Sequence, residues 1–387
     1  MNLNWKALAP HVPLHPGADE YVSRPDSAGD EIANWILADR WPVLVGGPTG
    51  VGKSTELARA ARLLQKDRVA CLVPLDRFEN MRRITADQLL LRIAGRVAFL
   101  AKENFHLQLS SELLAALAQA DVLSGIENEV KGSYEATPAA LARLALTEVA
   151  RRAAQGRVTL LLDGLEKVPQ GPGSLELFDA LGELPEEVEI VTVVPWHAAF
   201  GPQAETIVRP GERFVAVRAL DVEGEAGSAA REFLRDVLLQ RLHLPGEALD
   251  PTAVIQAFSR SLTEERALVA ARRNLVMDAV HLSGGLPRMF LQLMADAATY
   301  ARLRRGGDWP IVEDLNDACA DQADTLRRLL LPGDAAAIRQ AAQTDGRELG
   351  LERKVRLMAH GILLERMRNR RPELEIHPLA RAAVEDA

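Results

Sequence analysis

The chain has 387 residues, a formal net charge of -8 and 48% hydrophobic residues. That length exceeds one ordinary core and suits two or three domains. The acidic balance argues against general affinity for nucleic acid or an anionic membrane, because phosphate binding needs a surplus of Lys and Arg on the contacting face.

Two cysteines, Cys71 and Cys319, stand far apart with no Cys/His grouping, which speaks against a structural zinc or a disulfide framework. No apolar run approaches the roughly 18 to 20 residues of a membrane span, and the N-terminus lacks a charged segment followed by an apolar one. A cytoplasmic protein that does not engage a membrane is expected.

In chain order, residues 1–27 are rich in Pro and polar residues, and "APHVPLHPG" has no period of either kind, so an irregular lead-in is expected. "WPVLVGG" is a short apolar run ending in glycines. "KSTELARAARLL" after it puts Leu57, Ala60, Ala61 and Leu64 on one helical face. "VACLVPL", "VTLLLDG", "VEIVTVVP" and "RFVAVRAL" read as four further buried strands with helices or loops between them. Strands alternating with helices imply an α/β domain over residues 28–220, built on a mostly parallel sheet covered on both faces.

Strand-like runs then stop. "SAAREFLRDVLLQRL" and "LTEERALVAARRNLVMDAV" have helical spacing, which gives a helical domain over residues 221–308. Residues 309–387 pass from helical segments to "GILLERMRNRRPELEIHPLARAAV", two short strand-like pieces around a polar, Pro-containing turn and then a terminal helix. That order fits a small winged-helix domain.

The stretch "GGPTGVGKSTEL" sets Gly47, Gly52, Lys53 and Ser54 in the pattern G-x-x-x-x-G-K-[ST], after a buried strand and before an amphipathic helix. The glycines, with Gly50, let backbone N–H groups converge on phosphates without Cβ clashes. The helix start adds the positive end of its dipole. Gly47, Pro48, Thr49, Gly50, Val51, Gly52, Lys53, Ser54 and Thr55 are therefore expected to cradle the phosphates of a nucleoside triphosphate. In that loop Lys53 reaches the β- and γ-phosphates and Ser54 ligates Mg2+. Without ligand, the Lys53 ammonium is expected to face solvent.

Asp163 ends the apolar strand of "VTLLLDGLEKV", at the edge where an open α/β sheet presents its ligand site. A carboxylate there can hold the Mg2+ shell opposite Ser54. Glu166, three residues on, either orients the attacking water or is a solvated surface acid. Lys53, Asp163 and Glu166 are thus the candidate catalytic residues for hydrolysis of ATP to ADP and phosphate.

These residues resemble the STAND branch of AAA+-related P-loop ATPases, over about residues 19–387. The resemblance implies a nucleotide-binding α/β domain, a helical lid and a C-terminal winged helix. "YVSRP" resembles the short box that lies near the adenine, which adds Tyr21, Val22 and Arg24 to the nucleotide contacts. "LLLDGLEKV" resembles the group's acidic strand but has Lys167 where a second acid is common, which implies slow turnover or a scaffold that binds without turnover.

"SGGLPRMFLQL" resembles the G-x-P motif that opens a lid helix, with Gly285 and Pro287 matching and Arg288 placed like a sensor arginine. Pro at a first helical turn is also common in any helix. "EIHPLARAAV" resembles the winged-helix end whose histidine touches the β-phosphate of ADP; only His377 matches, and a capping or packing role is its ordinary alternative.

The resemblance implies a nucleotide-gated switch, with self-association or an effector protein in trans as its partner. The alternative is an initiator-type AAA+ ATPase that binds DNA through its winged helix. Arg353, Lys354, Arg356, Arg366, Arg368, Arg370 and Arg371 form a basic run there. Interleaved Glu352, Glu365, Glu373 and Glu375, and the lack of aromatics for stacking on bases, favour a solvated or protein-facing surface. After the fourth strand, His197 is placed either to sense the γ-phosphate or to pack.

Overall fold

A computed structural model describes residues 3–9, 21–120, 137–200, 212–250, 261–306, 309–342, 349–368 and 371–385. It divides into two compact units. One comprises Ala28–Gly46 and Glu56–Ala216; the other comprises Met1–Ser27, Gly47–Thr55 and Val217–Ala387.

The first unit is built on the five expected strands, β1 (Val43–Gly46), β2 (Val69–Pro74), β3 (Val158–Asp163), β4 (Val188–Val193) and β5 (Arg213–Ala216). Every pairing is parallel and the order is β2-β3-β4-β1-β5, so β4 separates β1 from β3. Val43, Leu44 and Val45 lie opposite Val191, Thr192 and Val193 on one side and Arg213, Phe214 and Val215 on the other. Parallel pairing brings Gly46 and Asp163, the last residues of β1 and β3, to the same edge of the sheet.

All six residues of β3 are buried, as a strand covered on both faces requires. Helix α1 (Ala28–Leu37) precedes β1, and α2 (Lys53–Leu64), α3 (Ala86–Glu103), α4 (Ser111–Gln119), α5 (Pro138–Arg152), α6 (Pro172–Gly182) and α7 (Trp196–Phe200) lie between successive strands. The apolar stripe of α2 is buried at Leu57, Ala60, Ala61 and Leu64.

At the start of α1, the Gly29 N–H donates to Glu56 Oε2 at 2.7 Å. A Cβ on Gly29 would lie 2.7 Å from the Glu56 carbonyl, so only glycine lets the two helices approach this closely. Thr85 and Gln88 cap α3 reciprocally, at 3.3 and 3.0 Å. Between β2 and β3, α3 and α5 pack Ile93, Val97, Leu146 and Val149 against Cys71, Val73, Leu160 and Leu162.

In the second unit run α8 (Ser228–Arg241), α9 (Ser261–Leu282), α10 (Pro287–Arg305), α11 (Val312–Arg328), α12 (Asp334–Ala342) and α13 (Leu351–Ala359). An antiparallel hairpin, β6 (Leu363–Arg368) and β7 (Arg371–Ile376), and α14 (Arg381–Glu385) follow. Phe290, Leu293, Met294, Ala297 and Ala301 form the buried stripe of α10, whose φ at the closing Gly306 is +61°.

Among the described residues of the lead-in expected to be irregular, Trp5–Leu8 form a 3-10 helix. Leu8 is fully buried, Trp5 meets Trp309 edge to face at 5.5 Å, and Arg241 donates to the Ala7 carbonyl at 3.0 Å. Two apolar residues three apart are too short a pattern to register in a Pro-rich sequence, and tertiary packing supplies the rest. Among the described residues no helix is long and apolar enough to cross a membrane.

Candidate nucleotide-binding site

The loop leaving β1 takes its shape from two glycines with positive φ, Gly50 at +84° and Gly52 at +104°. A Cβ at Gly52 would meet nothing within 4 Å, so glycine serves the backbone turn there rather than a tight contact. Gly47 is different: a Cβ would lie 2.4 Å from the Val217 carbonyl.

Helix α2 then starts at Lys53, and the first N–H groups of a helix have no acceptor inside it. Lys53 is 7% exposed, and its ammonium donates to the carbonyls of Gly47 at 2.9 Å and Pro48 at 3.0 Å. The solvent-facing ammonium anticipated from the sequence is corrected here, because the loop's own carbonyls satisfy the charge. Ser54 and Thr55 are half-buried on the first turn of α2.

The box at residues 21–25 fastens this loop. Arg24 is 5% exposed and donates to the Val51 carbonyl at 2.8 Å, to the Arg218 carbonyl, and to both Asp26 carboxylate oxygens. Its guanidinium is therefore engaged by protein groups, while Tyr21 and Val22 remain half-buried.

Two more main-chain bonds reach the loop. The Arg288 N–H, at the Pro-initiated start of α10, donates to the Gly50 carbonyl at 3.1 Å. A Cβ on Gly50 would sit 2.7 Å from Arg288 Cβ. The Thr49 N–H donates to the carbonyl of Ala359, the last residue of α13, at 3.2 Å. Arg288 itself is exposed and Pro287 half-buried.

His377 is fully buried. Its Nε2–H donates to the Ser283 carbonyl at 3.1 Å, and Nδ1 accepts the Leu379 N–H at 3.2 Å. Burial lowers its pKa to about 4; the Ser283 bond opposes that, and the charges of Arg366 and Arg381 add to it. The imidazole is neutral, and a phosphate contact through either nitrogen requires one of these bonds to break.

In the sheet unit, Asp163 is 8% exposed at the end of β3. Gly164 follows with φ +99°, and a Cβ there would lie 2.9 Å from Asp76 Cβ. Glu166 is half-buried, and its Oε2 is a buried atom without a hydrogen-bond partner among the described residues. Lys167 forms an ion pair with Asp76, in the 3-10 turn Leu75–Arg77 that follows β2. Trp196 stacks on Phe200 at 5.1 Å, and the His197 side chain lies outside the described residues.

Sequence reasoning missed Glu56, Asp76 and Ala359. Glu56 carries a local signal, an acid on the first turn after the phosphate loop, whereas Asp76 and a backbone carbonyl carry none. A glycine turn backed by a lysine, a helix start and a hydroxyl at Ser54 are a donor set that fits a nucleoside polyphosphate and its Mg2+. Among the described residues no three His, Cys, Asp or Glu side chains gather as a metal site of their own. Such a cation takes part of its ligation from the phosphates.

A phosphate loop on a parallel-sheet strand, with an acid ending a strand two places away, is the arrangement of the P-loop NTPase fold. A Walker-type ATPase of Pyrococcus abyssi shares that fold, with a TM-score of 0.51 at 14% identity over 95% of this chain and 99% of that one. The Aeropyrum pernix ORC1 protein in complex with DNA is more distant, at 0.43 and 17% identity over 100% and 96%. The RuvB Holliday junction branch migration motor of Thermotoga maritima gives 0.38 and 11% identity over 92% and 94%. No protein-family model and no curated protein sequence matches the chain.

Proposed function

We propose that the chain is an ATP-binding switch of the STAND type that hydrolyses ATP slowly. Its helical lid is the α8–α10 region, its C-terminal winged helix is residues 309–387, and its nucleotide state controls how that winged helix packs. One observation carries the reading: the phosphate loop is bonded by main chain to both the start of α10, at Gly50, and the end of α13, at Thr49. A change in the loop is therefore felt directly by both elements.

When bound, ATP with Mg2+ supplies the phosphoanhydride bond whose state is read. Lys53 and the loop amides would hold its phosphates, Ser54 would ligate the cation, and Asp163 would hold the cation's water shell. Glu166 orients water, and Lys167, neutralised by Asp76, adds no second acid, which fits slow turnover. Tyr21 and Val22 line the adenine side, and Arg24 holds the loop itself. Cytoplasmic location and a partner that is a second copy or an effector protein belong to the same reading.

DNA binding through the winged helix is disfavoured by the fate of its basic run. Arg353 and Arg356 pair with Asp334, and Arg366 and Arg368 pair with Asp221 and Glu375. Paired arginines offer little to a phosphate backbone. Arg370 lies outside the described residues.

The test is the size of the full chain in solution with ATP, with ADP and without nucleotide, alongside duplex DNA binding at several salt concentrations. A nucleotide-dependent change in size or in partner capture supports the switch. Salt-dependent DNA binding that stimulates hydrolysis, with no such change, would replace it with the initiator-type alternative.

A further inference from the structure

The turn Ser283, Gly284, Gly285, just before α10, presents three consecutive carbonyls, and each is held by a different group. Ser283 O accepts from His377 Nε2 at 3.1 Å, Gly284 O from the Arg366 guanidinium at 3.1 Å, and Gly285 O from the Leu220 N–H at 3.0 Å. Neither glycine leaves room for a side chain. At Gly284, with φ +63°, a Cβ would lie 2.7 Å from Leu364 and 3.1 Å from the His377 ring; at Gly285, with φ +75°, it would lie 2.0 Å from the Leu220 carbonyl.

Two of the three donors belong to the β6–β7 hairpin and the residue that ends it. Arg366, on β6, has a side chain 2% exposed. Its guanidinium also lies 3.3 Å from Asp221 Oδ1, and its Nε lies 3.3 Å from Glu375 Oε2, an ion-pair contact without hydrogen-bond alignment. Asp221 accepts in turn from Arg368 at 3.0 and 3.2 Å. A guanidinium is seldom buried unless it is paired and hydrogen-bonded, and here two carboxylates and one carbonyl share it.

The turn continues through Leu286 and Pro287 to Arg288, whose N–H sits on the Gly50 carbonyl of the phosphate loop. A connected path thus runs from hairpin to loop. His377 contributes one neutral hydrogen bond to it. Arg366 contributes a charge-assisted bond, the stronger kind, and its contact with Asp221 ties the same turn to the chain leaving β5.

We infer that Arg366 is the positioning residue through which the β6–β7 hairpin sets the phosphate loop: by holding the Gly284 carbonyl it keeps the Arg288 N–H on Gly50, and so controls how fast a nucleoside diphosphate leaves. The inference rests on the nucleotide reading above. Arg366 touches no nucleotide in it, and acts only through the turn.

The experiment uses the full chain and three variants, Arg366→Gln, Arg366→Lys and Arg305→Gln. Arg305 pairs with the buried Asp314 in the same compact unit, at the far end of α10 from the turn, so its variant reports general loosening. Release of a fluorescent ADP is followed by stopped flow, and amide hydrogen exchange is followed in the nucleotide-free protein.

Arg366→Gln is expected to speed ADP release at least about tenfold, the worth of a charge-assisted hydrogen bond. It should also raise exchange at the amides of Leu286 and Arg288 while leaving β1 to β5 unchanged. Arg366→Lys should fall between, because one ammonium can hold the Gly284 carbonyl but cannot bridge Asp221 and Glu375 as well. Arg305→Gln should release ADP at the wild-type rate.

Wild-type release from a folded Arg366→Gln protein overturns the inference, and so does equal acceleration by Arg305→Gln. If Arg366→Gln does not fold, Arg366→Lys and Asp221→Asn carry the test, and unaltered release and exchange in both overturn it. If the wild-type chain binds no ADP, it is the nucleotide reading that fails. Exchange at Leu286 and Arg288 then still decides whether Arg366 sets the turn.

Discussion

Replacing His377 by Gln removes a buried imidazole without removing its hydrogen-bonding capacity, since a Gln amide can donate to the Ser283 carbonyl and accept from the Leu379 N–H. The expected consequence is a change in how stability depends on pH. Burial and the charges of Arg366 and Arg381 hold His377 near 4 in the folded chain, against 6.5 for an unperturbed histidine. Between those values the unfolded chain binds a proton that the folded chain refuses.

The stability gained by keeping His377 neutral is therefore complete above about pH 6.5 and is lost as pH falls toward about 4. At about 1.4 kcal/mol per unit, the loss is on the order of 3 kcal/mol across that window. His360, whose pKa is also lowered, by burial and by Arg356, adds a slope of the same sign. It is present in both proteins, so the difference between wild type and His377→Gln isolates His377.

Urea unfolding of both proteins through this window is the assay, with the transition of the C-terminal unit followed by hydrogen exchange at Leu379. The wild type should weaken on acidification by about 3 kcal/mol more than His377→Gln. Parallel pH profiles would refute the reasoning, because they would mean that His377 is as easily protonated folded as unfolded.

Lys53→Ala should abolish ATP and ADP binding, read as loss of the roughly 2.7 kcal/mol that a ligand at about 100 times its dissociation constant adds to thermal stability; a retained melting shift would count against the loop assignment. The same variant loses the bonds to the Gly47 and Pro48 carbonyls, so the unliganded protein should also melt lower. Glu166→Gln should keep ATP bound and slow its hydrolysis, whereas Asp163→Asn should weaken the Mg2+ dependence; a wild-type rate in Glu166→Gln returns that residue to the role of a surface acid. Gly285→Ala places a Cβ 2.0 Å from the Leu220 carbonyl at φ +75° and should cost roughly 1 to 3 kcal/mol or more in unfolding experiments. A neutral result there would show that the turn relaxes freely.

The sequence by itself determined the elements whose cause is local. Five apolar runs of strand length became β1 to β5, and the stripe of Leu57, Ala60, Ala61 and Leu64 became the buried face of α2. Gly47, Gly52, Lys53 and Ser54 are legible because a phosphate loop is a short contiguous stretch whose backbone shape glycine dictates. The order of elements at the C-terminus was legible for the same reason, since period and turn chemistry act within a few residues.

Only the tertiary structure decided which groups the polar side chains spend themselves on. Arg24, in the box expected to lie near the adenine, holds carbonyls 27 and 194 residues away. The ring of His377 bonds to a carbonyl 94 residues back, and Arg366, which read as one member of a basic run, meets Asp221 at a separation of 145 residues. The placement of β4 between β1 and β3 likewise joins strands far apart in the chain. Periodicity and motif spacing report a residue's own neighbourhood, but a buried charge is satisfied by whatever partner the fold carries to it, and that partner's position in the chain leaves no local trace.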